Sequence, residues 1–331
     1  MTEQLFELPD SYLAISEEAQ KVAQQVAPYA HHADEADHFD PDVRQILAES
    51  GLCSLTVPKK FGGRFEEVDS LAVTVVREQL AYESAHVDSM FCMQGIGSYA
   101  LAQAGSPALQ ETWLPAVGRL ESIAALGLTE PDVGSDLRAI TTTIEVEGDF
   151  LRINGHKSFI TNAGDADFYT MLGKETVGGE VAYSLVLIPA STPGLSVSHP
   201  HQIIAPHVLG DVIMKDVMVP SGHRIGEPGK GFNLVLATLS TFRVSVAGAA
   251  IGIAQAALDE ATKHAASREQ FGVPLARLGG IPAQLAKSWA EIEMARALTY
   301  RAAAASARDA RANLYLSSLA KAGATEMSGR V

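Results

Sequence analysis

The sequence predicts an α+β protein in which an N-terminal helical section precedes a middle antiparallel β domain and a C-terminal bundle of long helices. Apolar residues recur at helical spacing up to about residue 120. The repeat then changes to the two-residue alternation of half-buried strands, and an alanine-rich helical pattern returns after about residue 235. We therefore expect an all-helical domain at residues 1–120, a β domain at 121–235 and a helical domain at 236–331.

The N-terminal section contains one well-defined helix boundary. Asp40-Pro41 combines an N-cap acid with a proline at the first helical position, and Gly51 is placed to end that helix. The apolar positions between them, Val43, Ile46 and Leu47, lie on one helical face. Residues 58–63 have the composition of a loop. Other helices are expected at residues 16–30, 68–83, 89–103 and 107–116.

The middle section carries strand and turn signals. Residues 141–146 alternate with a period of two, and Gly148-Asp149 marks a turn. Asn154-Gly155 predicts a hairpin turn, because both central positions of such a turn need positive φ. Two more strands are expected at residues 181–188 and 212–219.

The C-terminal section has the pattern of two long helices, at residues 231–264 and 282–311. Pro282 suits the first turn of the second helix. An apolar stripe along that helix is expected to face a core, and it consists of Leu285, Trp289, Ile292 and Leu298.

Composition limits the classes of function. The net charge of −14 repels a phosphate backbone, so no nucleic-acid partner is expected. Cys53 and Cys92 lie in apolar segments and are expected to be buried free thiols. The longest apolar run, residues 244–258, is interrupted by polar residues and glycines and is too short for a membrane span. The acidic N-terminus lacks signal-peptide features, so we expect a cytoplasmic protein.

Three segments approximate known ligand motifs without their required context. His31, His32 and His38, with Asp34, Glu35 and Asp37 around them, lack metal-ligand spacing, so a solvated loop and no metal site are expected. Gly95–Ala100 approximates a dinucleotide fingerprint, but no strand precedes it, which favours helix packing. Gly226–Gly231 lacks the Ser or Thr of a phosphate loop and is expected to cap the next helix.

The segment LTEPDVGSD, residues 128–136, is the main candidate site. Glu130-Pro131 imposes an extended step before a polar turn. Thr129 and Ser135 offer hydroxyl groups, and Gly134 permits close approach to the backbone. Such a turn can hydrogen-bond the edge of a planar heteroaromatic ligand. Taken alone, it is also typical of an ordinary helix-to-strand connection.

Further motifs occur in a fixed order around this turn. LTEPDVGSD is followed by INGHKSFITNAG at residues 153–164 and by SREQFGVPL at residues 267–275. With this order, the chain resembles the acyl-CoA dehydrogenase family over essentially its whole length. Supporting matches are PKKFGG at 58–63, VP at 219–220 before IG at 225–226, GKGF at 229–232 and AKAGATE at 320–326.

The resemblance implies FAD bound between the β domain and the C-terminal helices. The residues matching the family's flavin contacts in the β domain are Leu126, Leu128, Thr129, Gly134, Ser135, Phe159, Ile160 and Thr161. In the family, the aromatic ring covers the flavin and the threonine hydroxyl bonds near N5. Phe159 stands where Trp is usual, so the stacking surface is kept and the indole N–H is lost.

The resemblance also implies a substrate, an electron acceptor and an assembly. Ser135 and Arg243 match positions near an acyl-CoA or acyl-carrier-protein thioester, whose α,β bond would be oxidised. Electrons would pass to electron-transfer flavoprotein or a similar acceptor. A homotetramer is expected, because a further segment matches the one that reaches the FAD of a neighbouring subunit, namely Arg268, Gln270 and Phe271.

The family's general base is not recognisable. Its usual glutamate lies in a segment beyond the position of Val331, and its alternative position is Phe242, which cannot abstract a proton. Gly279 or Gly280 stands where a flavin-contacting glutamine is usual, and Glu130 belongs to the turn itself. Three explanations stay open: a truncated dehydrogenase with weak or absent turnover, a base-less or flavin monooxygenase-like relative, and an assembly module without enzyme activity.

Overall fold

The computed structural model describes residues 8–36, 38–201, 203 and 207–331. The described chain forms two compact units, each assembled from separated stretches of sequence. Unit 1 comprises Met1–Ala30, Asp69–Asp88 and Ser240–Val331, and unit 2 comprises His31–Val68 and Ser89–Leu239. The boundaries of the three consecutive domains stay a prediction.

Helices occupy the two ends of the described chain, as the sequence predicts. They are α1 (Asp10–Asp34), α2 (Pro41–Ser50), α3 (Ser70–Glu83), α4 (Ala85–Ala104), α5 (Pro107–Gly118), α6 (Gly231–Ser267), α7 (Ile281–Arg308) and α8 (Leu314–Ser328). Short 3-10 turns add Leu52–Thr56, Lys59–Phe61, Ser221–His223 and Leu275–Arg277. The predicted loop at residues 58–63 therefore contains one helical turn, which Gly62 ends with a φ of 93°.

The helix α2 begins and ends at the predicted residues. Asp40 Oδ1 accepts hydrogen bonds of 3.0 Å from the backbone N–H groups of Asp42 and Val43. These bonds satisfy two donors that have no partner within the first helical turn. Gly51 follows the helix with a φ of 67°, a left-handed conformation that glycine adopts without strain.

The β section forms one sheet with the order β6-β7-β3-β2-β4-β5-β8, and β1 pairs with β4. Its strands are β1 (Ala124–Gly127), β2 (Thr143–Glu147), β3 (Phe150–Thr161), β4 (Phe168–Val177), β5 (Glu180–Pro189), β6 (Leu195–Ser198), β7 (Leu209–Pro220) and β8 (Arg224–Ile225). Most pairs are antiparallel, as predicted, whereas β1 and β2 each pair with β4 in parallel. β1 leads directly into the LTEPDVGSD segment.

The predicted hairpin turn at Asn154-Gly155 is wrong. β3 runs through both residues, with a shift in register against β7 between Ile153 and Gly155. A Cβ atom on Gly155 would lie 2.2 Å from Thr142 Oγ1, so glycine is needed there for close approach of two strands. The Asn154 side chain accepts a 2.8 Å hydrogen bond from the backbone N–H of Asp216 on β7.

Gly97 shows why the segment Gly95–Ala100 resembles a dinucleotide fingerprint without being one. It lies within α4, and a Cβ atom there would lie 2.7 Å from the Ala124 side chain of β1. The Gly97 carbonyl accepts a 2.7 Å hydrogen bond from the Thr170 hydroxyl of β4. The expected role in helix packing is confirmed, because only glycine lets α4 approach the sheet this closely.

The core of unit 1 is formed by α3, α6, α7 and α8. Cβ atoms at Gly248 and Gly252 of α6 would lie 2.5 Å and 2.2 Å from backbone oxygens of α3, so these helices pack at close range. Ile292 of α7 is fully buried, whereas Trp289 is 61% exposed. The predicted apolar stripe is therefore wrong at Trp289, because the buried face of α7 runs through Ile292, Thr299 and Ala302 and leaves Trp289 outside it.

Three other expectations concern burial and metals. Cys53 and Cys92 are buried free thiols, as predicted. His31 and His32 lie in the last turn of α1 and not in a loop, and Asp37 lies outside the described residues. Among the residues that the structure describes, no group of three or more His, Cys, Asp or Glu side chains could hold a metal ion.

The helix α6 is long and apolar enough to cross a membrane by length and composition alone. In the described part of the chain it is the single helix with this property, and 67% of its most apolar window is buried inside the protein. The core helix of a folded domain has the same composition.

Candidate functional site

A buried carboxylate holds the LTEPDVGSD turn in place. Glu130 is 3% exposed, and its two oxygens accept hydrogen bonds of 2.6–3.0 Å from the backbone N–H and hydroxyl groups of Thr141 and Thr142. Burial raises the pKa of Glu130, but the hydrogen bonds from Thr142 and Thr141 and the nearby Lys157 charge bring the pKa down to about 2. The carboxylate is ionised and fully engaged, which suits a structural role and not that of a general base.

Lys157 is the cation that completes this buried cluster. Its side chain is fully buried, and its Nζ atom lies 2.9 Å from Glu130 Oε1 and donates a 3.0 Å hydrogen bond to the Leu128 carbonyl. Burial lowers the pKa of Lys157 to about 8, although the Glu130 charge opposes the shift. The sequence analysis did not single out Lys157. A signal for it was present in the sequence. A lysine within a half-buried strand needs a partner of opposite charge, because an unpaired buried charge is costly.

The cluster joins two of the motifs that the sequence marks. Besides the bonds of Lys157, the Ser158 backbone N–H donates a 2.9 Å hydrogen bond to the Thr129 carbonyl. The turn after β1 is thereby attached to the middle of β3. The structure therefore places residues 128–130 beside residues 157 and 158 in unit 2.

The far end of the turn is open to solvent. Gly134 and Ser135 are exposed, and a Cβ atom added to Gly134 would meet nothing within 4 Å. Leu126, the third residue of β1, and Leu128 and Thr129 after it are half-buried. Because the turn is fixed at Glu130, its exposed backbone and hydroxyl groups have a defined position.

Phe159 presents its ring at the surface of β3. Its backbone has a φ of 56°, which is unusual for a bulky residue, and its register against β7 is shifted. The side chain is 53% exposed, whereas Ile160 is buried and Thr161 is half-buried. Asn162 fixes the end of the strand, since its side-chain Nδ2 donates a 2.9 Å hydrogen bond to the Ala124 carbonyl.

The other predicted residues belong to unit 1. Arg243 is half-buried on α6, and its Nη1 atom donates a 3.1 Å hydrogen bond to Ser318 Oγ of α8. Phe242 is 3% exposed and carries no ionisable group. Gly279 has a φ of 50°, a backbone conformation that disfavours a glutamine at this position.

A small hairpin carries the remaining residues that are predicted to contact FAD. β9 (Glu269–Gln270) pairs with β10 (Val273–Pro274), and the loop between them is Phe271-Gly272. Both loop residues have positive φ, 54° and 78°, as a two-residue hairpin loop requires. Phe271 is 93% exposed at the tip, and Arg268 and Gln270 are exposed beside it.

A β section between two helical sections, with the polar turn of residues 128–136 after β1, is the architecture of the acyl-CoA dehydrogenase fold. Three family models match most of the chain: the acyl-CoA dehydrogenase N-terminal domain at residues 9–121, the middle domain at 125–217 and the C-terminal domain at 229–331. The chain belongs to the acyl-CoA dehydrogenase family, whose members are flavoprotein oxidoreductases.

Relatives and solved structures agree with this assignment. Cyclohexane-1-carbonyl-CoA dehydrogenase of Geobacter metallireducens is 34% identical over 287 residues, 86% of this chain and 75% of that protein. Butyryl-CoA dehydrogenase from Megasphaera elsdenii superposes with a TM-score of 0.89 at 28% identity, over 97% of this chain and 86% of that one. A chain in a structure of the electron transferring flavoprotein of Acidaminococcus fermentans superposes with a TM-score of 0.91 at 27% identity, over 97% and 85%.

Proposed function

We propose that this chain binds FAD against residues 126–135 and 159–161 and takes part in α,β-oxidation of an acyl thioester, either of CoA or of an acyl-carrier protein. The observation that supports this function most directly is the Glu130–Lys157 cluster. It joins the polar turn to the strand that carries Phe159, so that an aromatic ring and an open turn lie on connected backbone.

The chemistry of these residues fits a flavin. A planar tricyclic ring needs an aromatic or apolar surface on one face and hydrogen-bond groups at its edge. Phe159 offers the exposed surface, and Ser135 and Thr161 offer hydroxyl groups that can donate or accept. Gly134 leaves space where any other residue would project a side chain.

When bound, FAD supplies the acceptor for a hydride from the β-carbon. The chain's own residues then have binding and orienting roles. Ser135 and Arg243 would each bind the acyl thioester, and Arg268, Gln270 and Phe271 would hold the diphosphate and adenine of FAD in a neighbouring subunit. The fork of an arginine can hold a diphosphate in two-point contact. We propose a homotetramer for this reason, and electron-transfer flavoprotein or a similar protein as electron acceptor.

Removal of the α-proton requires a general base. Glu130 is engaged in the buried cluster, and Phe242 has no proton-accepting group. We therefore expect the 331-residue chain to bind FAD and to show weak or absent turnover. The lack of a base at Phe242 is also the observation that favours a second candidate, a base-less or oxygenase-like flavoprotein of the same fold.

Anaerobic spectroscopy on the purified chain tests these alternatives. A yellow preparation whose flavin band is bleached by a saturated acyl-CoA, even slowly, supports the dehydrogenase. Bleaching that occurs only with an external reductase supports the second candidate. A colourless preparation that takes up no added FAD contradicts both and leaves an assembly module.

A further inference from the structure

The ring of Phe159 is covered on one face by a histidine. His201 stacks on it with the ring centroids 4.0 Å apart and the planes inclined by 20°. Since Phe159 is still 53% exposed, its open surface consists of the opposite face and the ring edge. A planar ligand that meets Phe159 therefore adds a third layer to a stack that already has two.

His201 is itself held by a buried carboxylate. Its Nε2 atom lies 2.6 Å from Oδ1 of Asp211 on β7, and Asp211 is 7% exposed. The second oxygen of Asp211 lies 2.8 Å from Nε2 of His156 on β3. Asp211 thus joins the neighbouring strands β3 and β7 and fixes the position of the His201 ring.

The ionisation of Asp211 defines the direction of these bonds. Burial raises the pKa of Asp211, but hydrogen bonds from His201, His156 and Ser158 lower it below its ordinary value. An ionised carboxylate only accepts hydrogen bonds, so Nε2 of each histidine carries the proton and donates. A fixed donor on one side of the imidazole ring prevents it from rotating out of the stack.

Resting on the proposed function, we infer that His201 is a positioning residue for the flavin site, anchored by Asp211. It supports Phe159 from behind and holds the phenyl ring in the plane that the isoalloxazine ring meets. Phe159 needs this support, because it stands at a register shift with a φ of 56° and with little else around its side chain. Without His201, the phenyl ring would gain rotational freedom that flavin binding must then remove.

His201→Ala tests this inference, and His199→Ala is its matched control. His199 lies two residues earlier, is exposed and contacts the Leu209 carbonyl at 3.0 Å instead of the aromatic ring. We expect FAD to bind about three- to tenfold more weakly to His201→Ala, because binding must then remove the rotational freedom that the phenyl ring gains. The long-wavelength flavin absorption band should also shift, and His199→Ala should match the unaltered chain in both respects.

A second variant and a measurement on the flavin-free protein distinguish a positioning role of His201 from a general loss of folding. Asp211→Asn keeps the shape of the anchor but not its charge, and we expect a smaller change in the same direction. In the flavin-free protein, the ring current of Phe159 should move the His201 ring-proton resonances upfield. Phe159→Leu should return them towards ordinary values without moving those of His199.

The outcomes distinguish the two proposals. If the unaltered chain binds no FAD, the proposed function fails and this inference fails with it. If FAD binds equally well to the unaltered chain and to a folded His201→Ala variant, with the same absorption band, only the positioning role of His201 is overturned. Histidine resonances that do not respond to Phe159→Leu would overturn the stacked pair itself.

Discussion

The exposed and the buried lysine–glutamate pairs of this protein have different consequences for stability. Lys59 and Glu66 lie 2.8 Å apart with both side chains mostly exposed, and such pairs contribute little to stability. Lys157 and Glu130 lie 2.9 Å apart with both side chains buried. Removing one partner of a buried pair leaves an uncompensated charge, which costs about 3–5 kcal/mol.

We therefore predict that Lys157→Met lowers the free energy of unfolding by about 3 kcal/mol. Lys59→Met is the matched control, and its free energy of unfolding is expected to stay close to that of the unaltered chain. Urea denaturation of both variants measures the difference. Adding Glu130→Gln to Lys157→Met should restore part of the loss, because it neutralises the isolated carboxylate. Equal stability of the two lysine variants would contradict the structural role given to Lys157.

Phe242 offers a direct test of the missing base. Phe242→Glu places a carboxylate at the family's alternative catalytic position, and general-base catalysis contributes roughly a hundredfold or more to rate. We predict that anaerobic bleaching by a saturated acyl-CoA becomes faster by about that factor. Phe242→Gln, which has nearly the same shape and cannot accept the proton, is the control. Because Phe242 is buried, FAD binding must be measured in both variants to show that each is folded. Equal bleaching rates of the two variants would argue against a base at this position.

At the scale of the element, the β9–β10 hairpin exposes the aromatic ring of Phe271, and this exposed ring does not stabilise the fold of the single chain. We predict that Phe271→Asn weakens FAD binding at least threefold and leaves the melting temperature of the flavin-free protein unchanged. Asparagine tolerates positive φ, so the loop is preserved. Val181→Ser, at another residue that is mostly exposed, is the control for a general loss of apolar surface. Light scattering on each variant shows whether the assembly changes, and an unaffected FAD affinity would contradict the role of the tip.

Element boundaries were predictable where the signal is local. Asp40-Pro41 and Gly51 define α2 through contacts within a few residues, and the structure shows both ends as predicted. Asn154-Gly155 has equally strong local chemistry, yet the glycine is there because Thr142 lies against it. A contact between two strands has no counterpart in a short window of sequence, so the same dipeptide was wrongly assigned to a turn.

The candidate site also has parts that local sequence signals predict and parts that depend on contacts between distant residues. Its exposed members could be found through the motifs that contain them, because they match a family pattern. Its buried members could not, since Glu130 and Lys157 are 27 residues apart and meet only through the arrangement of β1 and β3. Asp211 and His201 lie still further from Glu130 along the chain, and their roles follow from the pairing of β3 with β7.

At the scale of the whole molecule, the order of helices, sheet and helices was correct, and the family was identified from several motifs together. The sequence did not reveal that unit 1 gathers three separated stretches of chain. The reason is the close packing of α3 with α6, which depends on Gly248 and Gly252 meeting a helix more than 160 residues earlier. Such a contact can be explained from the structure but not anticipated from composition.

The burial of Lys157 also has a chemical consequence for the proposed binding of acyl thioesters. Thioesters acylate unprotonated amines, and an ordinary lysine is only roughly 0.4% unprotonated at pH 8. In the folded protein, burial lowers the pKa of Lys157, so a larger share of this amine is unprotonated than of an exposed lysine. Its complete burial keeps that amine away from any acyl donor, so acylation of Lys157 would mark molecules in which the turn had opened.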